Sequence, residues 1–217
     1  IKSEVTSTDT VIDVCAAPGG KSLHIAELMS VSQGGAASYW KCASDRSHDT
    51  ETGRVLAYDI SADKVRLIQD NIDRTGLTNI AAKTGDATVY NADLSEKSDI
   101  VIADLPCSGI GVIGKKPDIK IRLNKEDIDT LSNLQYKILQ NVKKYVKPNG
   151  KLIYSTCTVS KRENELNVAK FLKDNSDYEL IDEKQYFPTD IQDGFYIAVL
   201  KKGSSSSNIT DSNDKEA

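Results

Sequence analysis

Apolar residues in this chain come in short unbroken runs. Each run is followed by polar turn residues and then by an apolar stripe at helical spacing. Thr10–Cys15, Arg54–Asp59, Asn79–Thr84, Ser98–Ala103 and Lys151–Tyr154 read as buried strands. A strand covered on both faces shows a continuous apolar run rather than an alternation. Helices fill the spaces between them. Lys21–Ser30 turns Leu23, Ala26 and Leu28 toward the sheet. A second helix is capped by Ser61, carries Val65, Ile68 and Ile72, and stops at Gly76, the residue types that open and end helices. Glu126–Val146 buries Ile128, Leu131, Leu134, Ile138 and Val142 and is closed by Pro148-Asn149-Gly150. Arg162–Leu172 is a further helix, and Tyr178–Ile181 and Phe195–Leu200 are two edge strands. The alternation predicts an α/β fold, a doubly wound and mostly parallel sheet with helices on both faces.

Two segments break the rhythm. Val31–Gly53 is rich in Gly, Ser and Asp, has no period, and is expected to be a surface insertion. From Gly203 the composition is that of a disordered acidic tail, so residues 1–202 form the folded domain and 203–217 do not. A length of 217 residues suits one such domain.

Composition narrows the setting. No run approaches the roughly 20 apolar residues of a membrane span, and Ile1-Lys2-Ser3-Glu4 carries no secretory pattern. The expectation is an intracellular monomer without membrane contact: cytoplasmic in a bacterium, organellar or nucleolar in a eukaryote. The four cysteines, at 15, 42, 107 and 157, include no CxxC pair, which argues against a zinc site, and they are expected to be reduced. A net charge of −4 does not suggest nucleic-acid binding over the whole surface. Lys115, Lys116, Lys120, Arg122 and Lys125 nevertheless crowd into one stretch with only Asp118 opposing them.

The candidate chemistry lies at strand ends, where open α/β folds place their sites. After the first strand, Cys15-Ala16-Ala17-Pro18-Gly19-Gly20-Lys21 forms a glycine turn into a helix, letting backbone approach a ligand. It lacks the GxGxxG spacing of dinucleotide loops. Asp59, ending the second strand, is placed for ribose hydroxyls, and Asp86, after the third, for an adenine amine. An adenosine held by carboxylates without a phosphate suits S-adenosylmethionine better than NAD. Cys107 follows the fourth strand in Asp104-Leu105-Pro106-Cys107-Ser108, and Cys157 follows the fifth in Tyr154-Ser155-Thr156-Cys157-Thr158. A thiolate adding to carbon 6 of cytosine makes carbon 5 nucleophilic enough to take a methyl group. Asp104, if protonated, could stabilise charge developing at ring nitrogen 3. Residue chemistry alone does not rank the two thiols.

These segments resemble the RNA cytosine-5 methyltransferase family, which includes bacterial 16S ribosomal RNA enzymes (the Sun/Fmu group) and nucleolar relatives. The resemblance runs from about Val11 to Lys202. It rests on DVCAAPGGK, GDA at Gly85–Ala87, DLPCSGIGVI at Asp104–Ile113, KPDIK at Lys116–Lys120, YSTC at Tyr154–Cys157, the Glu163-Asn164-Glu165 helix start, and DGFYIA at Asp193–Ala198. It implies a Rossmann-like S-adenosylmethionine-dependent methyltransferase. In it Cys157 is the nucleophile and Cys107 assists release of the product. Cys15 to Lys21, Asp59, Asp86 and Asp104 contact the cofactor. It also implies an upstream RNA-binding region, absent from these residues, with small-subunit ribosomal RNA as the substrate. The other readings are a transfer RNA cytosine-5 methyltransferase and a catalytically silent RNA-binding assembly factor. An amino-group methyltransferase fits less well, since Asp-Leu-Pro-Cys departs from the usual Asn/Asp-Pro-Pro-Tyr.

Overall fold

The computed structural model describes residues 5–31 and 53–204. Nearly all of the expected insertion at 31–53, with Cys42, and the tail from 205 lie outside the described residues.

Seven strands form one sheet in the order β3-β2-β1-β4-β5-β7-β6. The strands are β1 (Thr10–Asp13), β2 (Arg54–Asp59), β3 (Ile80–Thr84), β4 (Ser98–Asp104), β5 (Val146–Thr156), β6 (Tyr178–Tyr186) and β7 (Phe195–Lys202). β1 to β5 pair parallel, while β7 runs antiparallel to both neighbours. The central strands bury almost every side chain, Val101 and Ala103 having no exposure at all. The fold is the doubly wound α/β sheet that the strand and helix pattern predicts.

One core lies between the sheet and the helices α4 (Lys125–Val142) and α5 (Glu165–Asp174), around Leu139, Tyr154, Phe171 and Tyr196. The other joins the opposite face to α1 (Gly20–Val31) and α2 (Ala62–Thr75), around Ile25, Met29, Ile68 and Ile153. A single-turn helix, α3 (Ile119–Arg122), precedes α4. Caps delimit α2 and α4. The Ser61 hydroxyl accepts from the Lys64 N–H, and Gly76 closes α2 at φ 68°. Asn124 and Asp127 form a capping box on α4, an arrangement that contributes about 1 kcal/mol.

The structure departs from the sequence expectations in four places. In α1 the buried stripe is Ser22, Ile25, Ala26 and Met29, while Leu28 is 42% exposed. Apolar residues on both flanks of this helix hide its phase. The long helix ends at Val142, and Pro148-Asn149-Gly150 belongs to β5. There the β4–β5 register shifts between Ser98 and Ile100, and Asn149 takes φ 63°. α5 begins at Glu165, not Arg162, because Glu163 and Asn164 sit in a turn with both side chains fully buried. β6 runs to Tyr186, five residues beyond Ile181, because an edge strand with exposed polar faces lacks an apolar alternation.

Candidate active site

Strand order reverses between β1 and β4, and ligands of open α/β sheets bind in the crevice at such a reversal. All the predicted site residues lie at or just beyond the carboxyl ends of β1 to β5.

The loop after β1 is pinned from below. The Ala16 N–H donates to the Tyr58 carbonyl at 2.8 Å and the Gly19 N–H to the Ala16 carbonyl at 2.7 Å. Gly19 takes φ 104° after a cis Ala17–Pro18 bond, a left-handed conformation that side chains disfavour. At Gly20 an added Cβ would meet nothing within 4 Å, so the space above the helix start is open. The Cys15 thiol stays protonated: burial, reinforced by Asp13, Asp59 and Asp104, pushes it up to about 12.

Asp13, beneath this loop, is 1% exposed. Its Oδ2 accepts from the Ser22 hydroxyl at 2.6 Å, and its Oδ1 has no partner among the described residues. Burial raises this carboxyl from 3.8 to about 6. A raised carboxyl stabilises the fold below its unfolded value, and that contribution is lost as pH climbs through the folded value. We therefore expect Asp13→Asn to flatten the pH dependence of stability between pH 4 and about 6, by about 3 kcal/mol. Urea unfolding midpoints of both proteins across that range measure it. Parallel curves would refute the assignment.

The residues fit the S-adenosylmethionine implied by the resemblance. The open space over Gly20 leaves room for a ligand against the backbone at the start of α1. Asp59 is 5% exposed at the end of β2 and is oriented by the Ser61 N–H at 3.2 Å and by Lys64 at 3.7 Å. Its neighbour Ile60 is 65% exposed, an apolar surface suited to a purine face that the strand pattern does not reveal. Asp86 is exposed after β3, on the rim of a cavity of about 470 Å³ that Tyr58, Tyr90 and Tyr145 also line. The Thr88 N–H and hydroxyl both donate to Asp86 and hold its carboxyl below the usual range.

Across the crevice, Asp104 ends β4. Its Oδ2 accepts from the Lys21 ammonium at 2.6 Å, and its Oδ1 from the Ser155 hydroxyl at 2.7 Å. Both oxygens of the expected ring acid are thus already acceptors, and the adjacent proton donor is Lys21.

The two cysteines meet. The sulfurs of Cys107 and Cys157 are 3.1 Å apart, and both thiols are free. The contact with Cys107, with some help from Lys116, lowers Cys157 to about 7 against burial and Asp104. Cys107 itself is pushed up by that same bond and by burial. Of the two, Cys157 is the thiol shifted toward ionisation and Cys107 the one shifted away from it. The loops carrying them are locked to a third. The Gly111 N–H donates to the Cys157 carbonyl at 3.1 Å, and the Gly194 N–H to the Gly111 carbonyl at 2.7 Å. A Cβ at Gly111 would stand 2.4 Å from the Gly194 carbonyl. Beside the site, Lys115, Lys116, Lys120, Arg122 and Lys125 are all exposed, with Lys115 paired to Asp193 at 2.7 Å.

Three buried polar residues around the thiols escape a sequence reading of chemistry: Ser108, Gln135 and Glu163, of which the last two have no exposure. The available signal was Gln135, which replaces an apolar residue in the Leu131, Ile138, Val142 stripe of α4.

The model of the family described as 16S rRNA methyltransferase RsmB/F matches residues 46–201. A probable ribosomal RNA small subunit methyltransferase B of Bacillus subtilis (strain 168) is 39% identical over 174 residues, 80% of this chain and 34% of that protein. The ribosomal RNA small subunit methyltransferase B of Vibrio cholerae is 34% identical over 202 residues, 89% of this chain and 42% of that protein. The chain thus spans between about a third and two-fifths of these relatives. The crystal structure of NSun6 from Pyrococcus horikoshii with SFG has TM-score 0.71 at 26% identity, covering 92% of this chain and 49% of that one.

Proposed function

Because the chain belongs to the RsmB/F family of 16S rRNA methyltransferases, we propose that it is the catalytic domain of an enzyme forming 5-methylcytosine in small-subunit ribosomal RNA. The family and fold are S-adenosylmethionine-dependent. The observation that carries the cytosine reading is the 3.1 Å contact of two thiols beside the Lys21–Asp104 pair. An amino-group methyltransferase has no use for an ionised thiol at this edge of the sheet.

Cys157 enters as a thiolate, half-formed near pH 7 given its value of about 7. Its sulfur bonds to carbon 6 of a cytosine turned out of the RNA into the crevice, and the displaced electron pair shifts onto carbon 5 and nitrogen 3. Lys21, held by Asp104, balances that charge and can donate a proton at nitrogen 3. S-adenosylmethionine, when bound, supplies a methyl group on a positively charged sulfur, which carbon 5 attacks. Loss of the carbon 5 proton to a solvent-borne base, with the nitrogen 3 proton returned to Lys21, then re-forms the ring double bond and expels Cys157. Cys107, at 3.1 Å, returns its hydrogen bond to the departing thiolate. Cys15, the backbone through Gly20, Lys21, Asp59, Asp86 and Asp104 would hold the cofactor. The exposed lysines from 115 to 125 would meet phosphates near the target, which reconciles an acidic chain with an RNA substrate.

The test is to incubate the chain, joined to any upstream region of its natural protein, with methyl-labelled S-adenosylmethionine and fractionated RNA. Label is expected at carbon 5 of a cytosine in small-subunit ribosomal RNA. Label only in transfer RNA would move the substrate assignment, and label on an exocyclic amine would overturn the mechanism.

A further inference from the structure

Glu163 is fully buried in the turn before α5, and no step above uses it. Its Oε1 accepts from the Ser108 N–H at 2.8 Å and from Gln135 Nε2 at 3.1 Å, and its Oε2 from the Ser108 hydroxyl at 2.6 Å. Ser108 directly follows Cys107. Gln135 Nε2 also donates to the Pro106 carbonyl at 2.9 Å, so both neighbours of Cys107 are held. The Ser108 hydroxyl lies 2.8 Å from the Thr158 hydroxyl, and Thr158 directly follows Cys157. One buried carboxyl thus grips both cysteine loops. Burying such a group costs free energy that its hydrogen bonds at best offset. An apolar side chain of similar volume would fill this space without that cost. The carboxyl therefore gives position rather than stability.

We propose that Glu163 is a positioning residue that fixes the Cys107 thiol at hydrogen-bonding distance from Cys157. Its catalytic meaning rests on the reading of Cys157 as nucleophile, but the geometry and its test do not. The groups facing Cys157 are Cys107, Asp104 and Lys116, and only the first is tied to Glu163. Without the tether, Cys107 drifts and Cys157 rises from about 7 toward its ordinary 9.

The test is the pH dependence of Cys157 alkylation by iodoacetamide in the unliganded chain, followed peptide by peptide by mass spectrometry. In the wild type the rate is expected to be half-maximal near pH 7. Glu163→Ala is expected to raise that midpoint by at least about one unit, slowing alkylation at pH 7 about fivefold. Glu163→Gln keeps the carbonyl that Ser108 and Gln135 need, and should restore the wild-type midpoint. In a Cys107→Ala background, Glu163→Ala should add nothing. Should Glu163→Ala not fold, Ser108→Ala is the second variant: it cuts the Oε2 contact and the bridge to Thr158, and should move the midpoint the same way. An unchanged midpoint in a folded Glu163→Ala protein, or in Ser108→Ala when it alone folds, overturns the proposal. So does an undiminished further shift when Cys107 is already absent. The midpoint shift could hold even if Cys157→Ala still methylated RNA, so the two readings fail separately.

Discussion

Cys157→Ala is expected to abolish methyl transfer, lowering product formation at least about ten-thousand-fold, as loss of a covalent nucleophile does elsewhere. The uncatalysed ring has no electron-rich carbon 5, and alanine offers no means of creating one. Cofactor binding should be unaffected, because the groups proposed to hold the adenosine lie at the ends of β1, β2 and β3 rather than in the β5 loop. The pair of measurements is methyl incorporation into RNA and S-adenosylmethionine affinity by calorimetry. Incorporation at the wild-type rate would remove Cys157 from the mechanism. Lost incorporation with equally lost affinity would reduce it to a structural residue. In the wild type, single-turnover rates should climb through about pH 7, where Cys157 ionises, and level above it.

Cys107→Ala should leave the enzyme able to attack but slow to let go. In the proposed mechanism elimination of Cys157 generates a thiolate in a half-buried site, and the thiol at 3.1 Å is placed to stabilise it. Without that thiol, a denaturant-resistant protein–RNA adduct is expected to accumulate on denaturing gels, with multiple turnover down about a hundredfold or more, the range of a lost proton-transfer partner. The same substitution lifts Cys157 toward 9. Adduct formation should therefore also be slower at pH 7, by about tenfold to fiftyfold, and recover as pH approaches 9. Normal turnover without adduct would show that Cys107 has no part in release. Adduct formation with an unchanged pH profile would retain the release role and refute the hydrogen bond.

Much of this was legible in the chain itself. The strands announced themselves because burial on both faces demands unbroken apolar runs, as in Ile100 to Ala103. Caps such as Ser61 and Gly76 act through their own local bonds, so the ends of α2 needed no tertiary information. Elements whose limits depend on distant partners were read less well. Pro148-Asn149-Gly150 looks like a helix stop, yet lies inside β5 as a bulge, between Val146 paired with Ser98 and Lys151 paired with Ile100. Glu163 and Asn164 look like a helix start, yet remain a turn because their side chains reach inward, Asn164 to Thr156 at 2.6 Å and Glu163 to Ser108.

The sequence by itself determined the doubly wound sheet, the glycine loop and the presence of two thiols at adjacent strand ends. These follow from local spacing and from the rule that parallel strands expose their carboxyl ends together. Residue chemistry left the two thiols equivalent, and only the family resemblance ranked them, because a cysteine's acidity is set by what surrounds it. Cys107 and Cys157 lie 50 residues apart in the chain. Only the folded sheet brings one within 3.1 Å of the other, leaves Lys116 to favour Cys157, and clamps both loops to a buried carboxyl. The surroundings that make one thiol more acidic than the other are thus a property of the tertiary structure, because each partner comes from a different strand end.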